Sequence, residues 1–136
     1  MTEDEAVQKC LDTLHSLETE KIVNFTGISN TELKLTYGAA NLKLLMEYDQ
    51  NYTSLVQTLE TWSDTLYQAG FEADACTILE YAVSIHTDIS ASYYRLSQFY
   101  LQHGTPEKIE GLIQTASTLN SVMRDSIVRT LRKSCP

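Results

Sequence analysis

The sequence predicts an all-α protein of about seven helices, arranged as antiparallel helical hairpins. Apolar residues recur at intervals of three and four through most of the chain, which is the spacing of one buried helix face. No stretch alternates apolar and polar residues as a half-buried strand would. Glycine, proline and short polar residues separate the periodic segments, as expected of turns. With 136 residues, of which 43% are apolar and 21% charged, the chain has the composition of one globular domain.

The first third of the chain predicts two helices joined by a packed connector. Thr2 and Glu5 have the spacing of a capping box before an apolar stripe, so a helix is expected over about 3–20. The connector, residues 21–30, is too apolar for a solvated loop. A second helix is then expected to end at the turn-prone segment 49–51.

The rest of the chain predicts five shorter helices with clear turn signals. Gly70 and Gly104 each follow a periodic segment and suit the left-handed conformation that ends helices. Pro106 stands where a helix begins, since its missing N–H costs nothing there. The expected helices span about 56–69, 72–86, 90–103, 106–119 and 121–133.

The apolar skeleton of these helices recurs after 34 residues. Matched positions are Leu59 with Tyr93, Trp62 with Leu96, Ser63 with Ser97, Leu66 with Tyr100, Gly70 with Gly104, Ala75 with Ile109, Leu79 with Ile113 and Ala82 with Ala116. The pattern resembles the tetratricopeptide (TPR) repeat, whose small residues allow close helix packing and whose glycine allows the reversal. It departs from that pattern at the tryptophan position, held by Leu59 and Tyr93, and at the proline position, held by Thr87 and Ser121.

The resemblance implies a right-handed superhelical array of hairpins. One repeat would span 56–89 and the next 90–121. Because about three units are needed to close such a core, residues 1–55 are expected to cap one end and 122–136 the other. An ordinary bundle of helical hairpins is the alternative. The repeat interpretation predicts that the following side chains are buried: Trp62, Ala75, Leu79, Ala82, Leu96, Ile113 and Ala116.

In the repeat family, the first helix of each pair lines a concave groove that holds a ligand. The resemblance carries this role to Gln57, Glu60, Asp64, Tyr67, Gln68, Tyr94, Arg95, Gln98, Leu101 and Gln102. Tyr67 and Leu101 have the alternative of packing inward. Relatives that grip a terminal carboxylate use Lys and Asn donors, but Glu60 and Asp64 stand in the corresponding places here. A ligand that carries Lys or Arg fits this charge better.

The charge of the chain argues against nucleic-acid binding. The net charge is −8, and phosphate binding depends on an excess of Lys and Arg. Residues 1–123 carry six basic and seventeen acidic side chains, a net of −11, whereas residues 124–136 carry four basic and one acidic, a net of +3. A basic end against an acidic body predicts a monomer, or a weak dimer that salt disperses.

The sequence predicts no catalytic residues, no metal site and no cofactor. Its three histidines are isolated, and its three cysteines lie far apart without a CxxC pair. It contains no phosphate-binding loop and no HExxH motif. No window is apolar enough to insert directly into a membrane. A soluble cytoplasmic protein is therefore expected, although an anchor upstream would be invisible if the chain is a fragment.

Two functions are open at this point. The first is a scaffold or interaction module that binds a protein or peptide in the concave groove. The second is a structural element that stacks with itself or with the rest of a larger protein. Charged residues at both ends of the chain favour the first function, because they suit solvent-facing caps.

Overall fold

Residues 3–136 are described by a computed structural model, and they form seven α-helices, one short 3₁₀ helix and no strand. The α-helices are α1 (Glu3–Leu17), α2 (Asn30–Tyr37), α3 (Leu42–Gln68), α4 (Glu72–Ser84), α5 (Ser90–Gln102), α6 (Lys108–Ser117) and α7 (Arg124–Ser134). The 3₁₀ helix, Ala39–Asn41, lies between α2 and α3. The all-α prediction is confirmed. Thr2, half of the predicted capping box, lies outside the described residues.

The helices from α3 onward pack mainly against their neighbours in the chain. α3 packs on α4, α4 on α5, α5 on α6, and α7 on both α5 and α6. At the other end, α1 lies along α3, and α2 contacts the start of α3. The main core lies between α4, α5, α6 and α7, around Tyr93, Leu96, Ile109, Ile127 and Leu131. Helices α3 and α5 both pack against α4, and Arg95 on α5 pairs with Glu60 and Asp64 on α3.

The reversals after α3 and α5 are built in the same way. The Leu66 carbonyl accepts a hydrogen bond from the Phe71 N–H at 2.9 Å, and the Tyr100 carbonyl accepts one from Thr105 at 2.9 Å. Gly70 and Gly104 have φ values of +90° and +69°, which favour glycine. Because residues 34 apart make the same hydrogen bonds, the two glycines allow the same turn geometry after α3 and after α5.

The predicted turn at 49–51 is wrong, because α3 runs through this segment without a break. The polar side chains that suggested a turn hold the connector instead. Asp49 Oδ1 accepts a hydrogen bond from the Phe25 N–H at 3.3 Å, and Asn51 Nδ2 donates to the Lys21 carbonyl at 3.1 Å. The helical break lies earlier, at Gly38, whose φ is +89°. The expected boundary between residues 55 and 56 therefore falls inside a continuous helix.

The connector is packed only in part, since Ile22, Val23 and Phe25 are half-buried and Ile28 is 40% exposed. Its Phe25 ring meets the Tyr37 ring edge to face, with centroids 6.5 Å apart. Gly27 passes so close to Asn120, in the loop between α6 and α7, that a Cβ would stand 1.9 Å from its carbonyl oxygen. The connector therefore ties the N-terminal helices to the far end of the chain.

Six of the seven predicted core residues are buried, from Ala75 on α4 to Ala116 on α6. Trp62 is the exception, since its side chain is only half-buried. The side of α3 that faces α4 holds Tyr52, Val56, Leu59 and Ser63 at helical spacing. Ser63 donates a hydrogen bond to the Ala75 carbonyl at 3.0 Å, so Ser63, and not Trp62, makes the buried contact with α4.

All three cysteines carry free thiols. Cys10 and Cys76 are buried thiols and Cys135 is an exposed one. Across residues 3–136, no helix is both long and apolar enough to cross a membrane.

Candidate binding groove

A groove of about 360 Å³ lies between α3 and α5. Both helices contribute side chains at intervals of three and four, which places those residues on one face of each helix. The groove is lined by Asp64, Tyr67 and Gln68 from α3 and by Tyr94, Arg95, Gln98, Phe99 and Gln102 from α5.

Arg95 crosses from α5 to α3 and forms two ion pairs. Its Nη2 lies 3.0 Å from Asp64 Oδ1, and its Nη1 lies 3.2 Å from Glu60 Oε1. Nη1 is buried and makes no hydrogen bond within the described part of the chain, so its pairing with Glu60 is electrostatic only. Ser92 adds a hydrogen bond to Glu60 Oε2 at 3.0 Å. These contacts fix the spacing of α3 and α5 at the groove.

Burial has the largest effect on the ionisation of Glu60, whose side chain is 16% exposed. Loss of water around the carboxylate raises its pKa above the ordinary value of 4.5. The positive charge of Arg95 and the hydrogen bond from Ser92 act in the opposite direction. Asp64 adds a smaller repulsion that again raises the pKa.

Aromatic rings form the apolar part of the groove. Tyr67 is 45% exposed, and Phe99 stacks on His103 with ring centroids 4.0 Å apart. A cavity of about 20 Å³ lies beneath Tyr67 and Phe99 and reaches Cys76 and Leu79 in the core. A ligand side chain resting on these rings would therefore lie directly over the packed interior.

The structure brings seven of the ten predicted residues into this one groove and places the other three elsewhere. Glu60 stands beside the groove, paired with Arg95. Gln57 lines a separate groove between α3 and α1. Leu101 packs against the core, which is the inward alternative that the sequence left open for it. Tyr67 takes the exposed alternative rather than packing inward.

Phe99 is the groove residue that the sequence reasoning missed. It follows Gln98 directly and stands four residues after Arg95, so it belongs to the same helical stripe. A search of that stripe for aromatic residues would have found it.

A second groove, of about 310 Å³, lies on the other side of α3. Helix α1 forms its opposite wall. The lining residues are Ala6, Lys9, Cys10 and Thr13 from α1 and Ser54, Gln57, Thr58 and Thr61 from α3.

These surfaces suit binding through side chains. Gln68, Gln98 and Gln102 offer amide donors and acceptors on both walls of the first groove. Tyrosine and phenylalanine add apolar area at low cost in conformational entropy. Within residues 3–136, no group of three His, Cys, Asp or Glu side chains is placed to hold a metal ion.

Comparison of the chain with protein-family models, with curated proteins and with solved structures gives no match.

Proposed function

We propose that this protein is a non-catalytic interaction module that binds an extended segment of a partner protein in the groove between α3 and α5. The single observation behind the proposal is that seven residues expected on a ligand face line one open groove of about 360 Å³. A groove of this kind, with aromatic rings and amide side chains, suits an extended peptide better than a small ligand, which prefers an enclosed cavity.

We further propose that the groove belongs to a TPR-like, right-handed array of hairpins. The support is the repeated reversal, in which Phe71 and Thr105 donate equivalent hydrogen bonds next to Gly70 and Gly104. The buried alanines Ala82 and Ala116 add to it, because they let α4 and α6 approach their neighbours closely. In this proposal α7 acts as the C-terminal cap.

The charge of the groove does not require a basic partner. Glu60 and Asp64 were expected to attract Lys or Arg, but Arg95 already pairs with both carboxylates. The lining itself contains one acid, Asp64, and one base, Arg95. The ligand at this groove is therefore best matched by an uncharged, partly apolar segment.

A stacking role is the second candidate, and one observation favours it. The start of the chain leaves large apolar side chains in solvent: Leu35 is 83% exposed, and Tyr37, Leu44 and Met46 are about half exposed. At the opposite end, α7 buries Ile127 and Leu131 and exposes its charged residues, which argues against continuous stacking, although Val122 just before it is 98% exposed. A monomer or weak dimer fits this asymmetry. The free thiols fit a reducing compartment such as the cytoplasm.

The proposal can be tested by affinity capture from a native lysate with a matched pair of double variants. Tyr67→Ala with Gln98→Ala removes one aromatic and one amide side chain from the groove. Tyr81→Ala with Gln114→Ala removes the same groups from exposed positions on α4 and α6. We expect the groove variant to lose the proteins that the wild type retains, and the control to keep them. Equal retention by the two variants would contradict the proposal.

A further inference from the structure

The two grooves beside α3 are consecutive parts of one surface. Gln57, Thr61, Asp64 and Gln68 follow each other at intervals of four, three and four, so they form a single stripe along α3. The first two line the groove against α1, and the last two line the groove against α5. A chain lying on this stripe would pass from one groove into the other.

The chemistry of the surface changes along the stripe. The groove against α1 has Lys9 as its one charged lining residue, and no acid lines it among the residues described. Ser54, Thr58 and Thr61 on α3 add hydroxyl groups to the same lining, whereas the Thr13 hydroxyl already donates to the Lys9 carbonyl at 3.1 Å. Ammonium and hydroxyl groups are donors that suit a carboxylate. Lys9 is thus the one charge of this lining in a chain whose net charge is −8, with Glu5 and Asp12 one turn away on the same helix.

The distance between the two grooves limits the length of the bound segment. Their lining residues on α3 are centred about nine residues apart, or about 13 Å along the helix. They also flank the stripe, one toward α1 and the other toward α5, which adds a lateral offset of about 9 Å, a typical helix spacing. The direct distance is therefore about 16 Å, and an extended chain covers this with about five residues.

We propose that the partner segment carries an acidic side chain for the α1 groove and, about five residues away, an aromatic or aliphatic side chain for the α5 groove. The acid would meet Lys9 and its neighbouring hydroxyls. The apolar side chain would rest on Tyr67 and Phe99. This inference depends on the proposed function and specifies the partner's chemistry.

The test is selection of peptides from a random dodecapeptide display library, followed by sequencing of the enriched pool. Wild type, Lys9→Glu and Tyr67→Ala serve as baits, with Lys43→Glu as a charge control at an exposed position that lines neither groove. We expect peptides enriched by the wild type to carry Asp or Glu four to six positions from an aromatic or aliphatic residue. Lys9→Glu should remove this acidic preference or replace it with Lys or Arg. Lys43→Glu should keep it.

The outcomes separate this inference from the proposed function. Peptides that are enriched by the wild type and lost with Tyr67→Ala, but that lack the spaced acid, would overturn the inference alone. No enrichment, or enrichment indifferent to Tyr67→Ala, would contradict the proposed function as well. For a selected peptide made synthetically, we expect Lys9→Glu to weaken binding by about fivefold.

Discussion

The N-terminal third of the molecule and the remainder are packed very differently. Before Tyr52, the described residues bury only Cys10, Leu17 and Leu33 as apolar core, while four large apolar side chains of α2 and the start of α3 are exposed. After Tyr52, every helix contributes at least two buried residues. The 34-residue repetition lies in the second region and fades in the first. The repeated apolar skeleton therefore coincides with the densely packed part of the molecule.

The matched positions Trp62 and Leu96 show why packing differs between the two regions. Leu96 and Trp62 correspond at the 34-residue interval, yet Leu96 is fully buried and Trp62 is not. Helix α5 packs against α4, α6 and α7, whereas α3 packs mainly against α4 and α1 and less against α2. Burial at this position therefore depends on which neighbouring helices cover it, as well as on the sequence pattern.

The largest effect is expected from truncating equivalent side chains in the two regions. Leu96→Ala should lower the free energy of unfolding by about 3–5 kcal/mol, because a closely surrounded site cannot collapse onto the cavity. Leu33→Ala should cost about 2 kcal/mol or less, because α2 packs against the connector, the 3₁₀ helix and α3 at one end of the molecule and can adjust. Urea unfolding of both variants measures the difference. Equal losses would show that the two regions are equally well packed.

Overpacking should have an intermediate effect. Ala82 and Ala116 are completely buried, so Ala82→Leu or Ala116→Leu should lower the free energy of unfolding by about 1–3 kcal/mol. Ala73→Leu, at an exposed position on α4, is the control and should change it by less than about 0.5 kcal/mol. Thermal and urea unfolding both report the change. A cost no greater than that of the control would mean that the alanines do not set the helix spacing.

Replacing the glycine at either reversal should lower the free energy of unfolding by the same amount. Gly70→Ala and Gly104→Ala should each cost about 1–2 kcal/mol, because both residues have left-handed φ values and a methyl group would meet open space. Gly111→Ala, inside α6, should instead stabilise by about 0.5–1 kcal/mol, since alanine favours the helix. Unequal costs at Gly70 and Gly104 would weaken the repeat proposal.

The smallest effect concerns pH at the groove. Because burial raises the pKa of Glu60 above 4.5, its protonated form stabilises the fold fully below that value, and this contribution is lost as pH rises through the folded pKa. Glu60→Gln cannot ionise. The unfolding free energy of the wild type should therefore fall relative to that of Glu60→Gln as pH rises from 4. The opposite slope would mean that Arg95 outweighs burial.

The sequence was sufficient for the helices after residue 55 and for most of the groove. Their periodicity, glycines and 34-residue interval can all be recognised in a single sequence, because they do not depend on how the helices pack. The continuity of α3 through 49–51 was missed because Asp49 and Asn51 bond to a connector more than twenty residues away. The ion pairs of Arg95 were missed for the same reason, since they depend on how α3 and α5 are placed together.

The central claim is that the surface between α3 and α5 holds a partner segment. Titrating isotope-labelled protein with the best peptide from the display library, while following backbone amide chemical shifts, tests it most directly. We predict the largest changes within 61–68 and 92–102, with smaller ones on α1 and none on the outer face of α7. Changes confined to α2, the start of α3 or α7 would contradict the account, because they would place the ligand outside the groove.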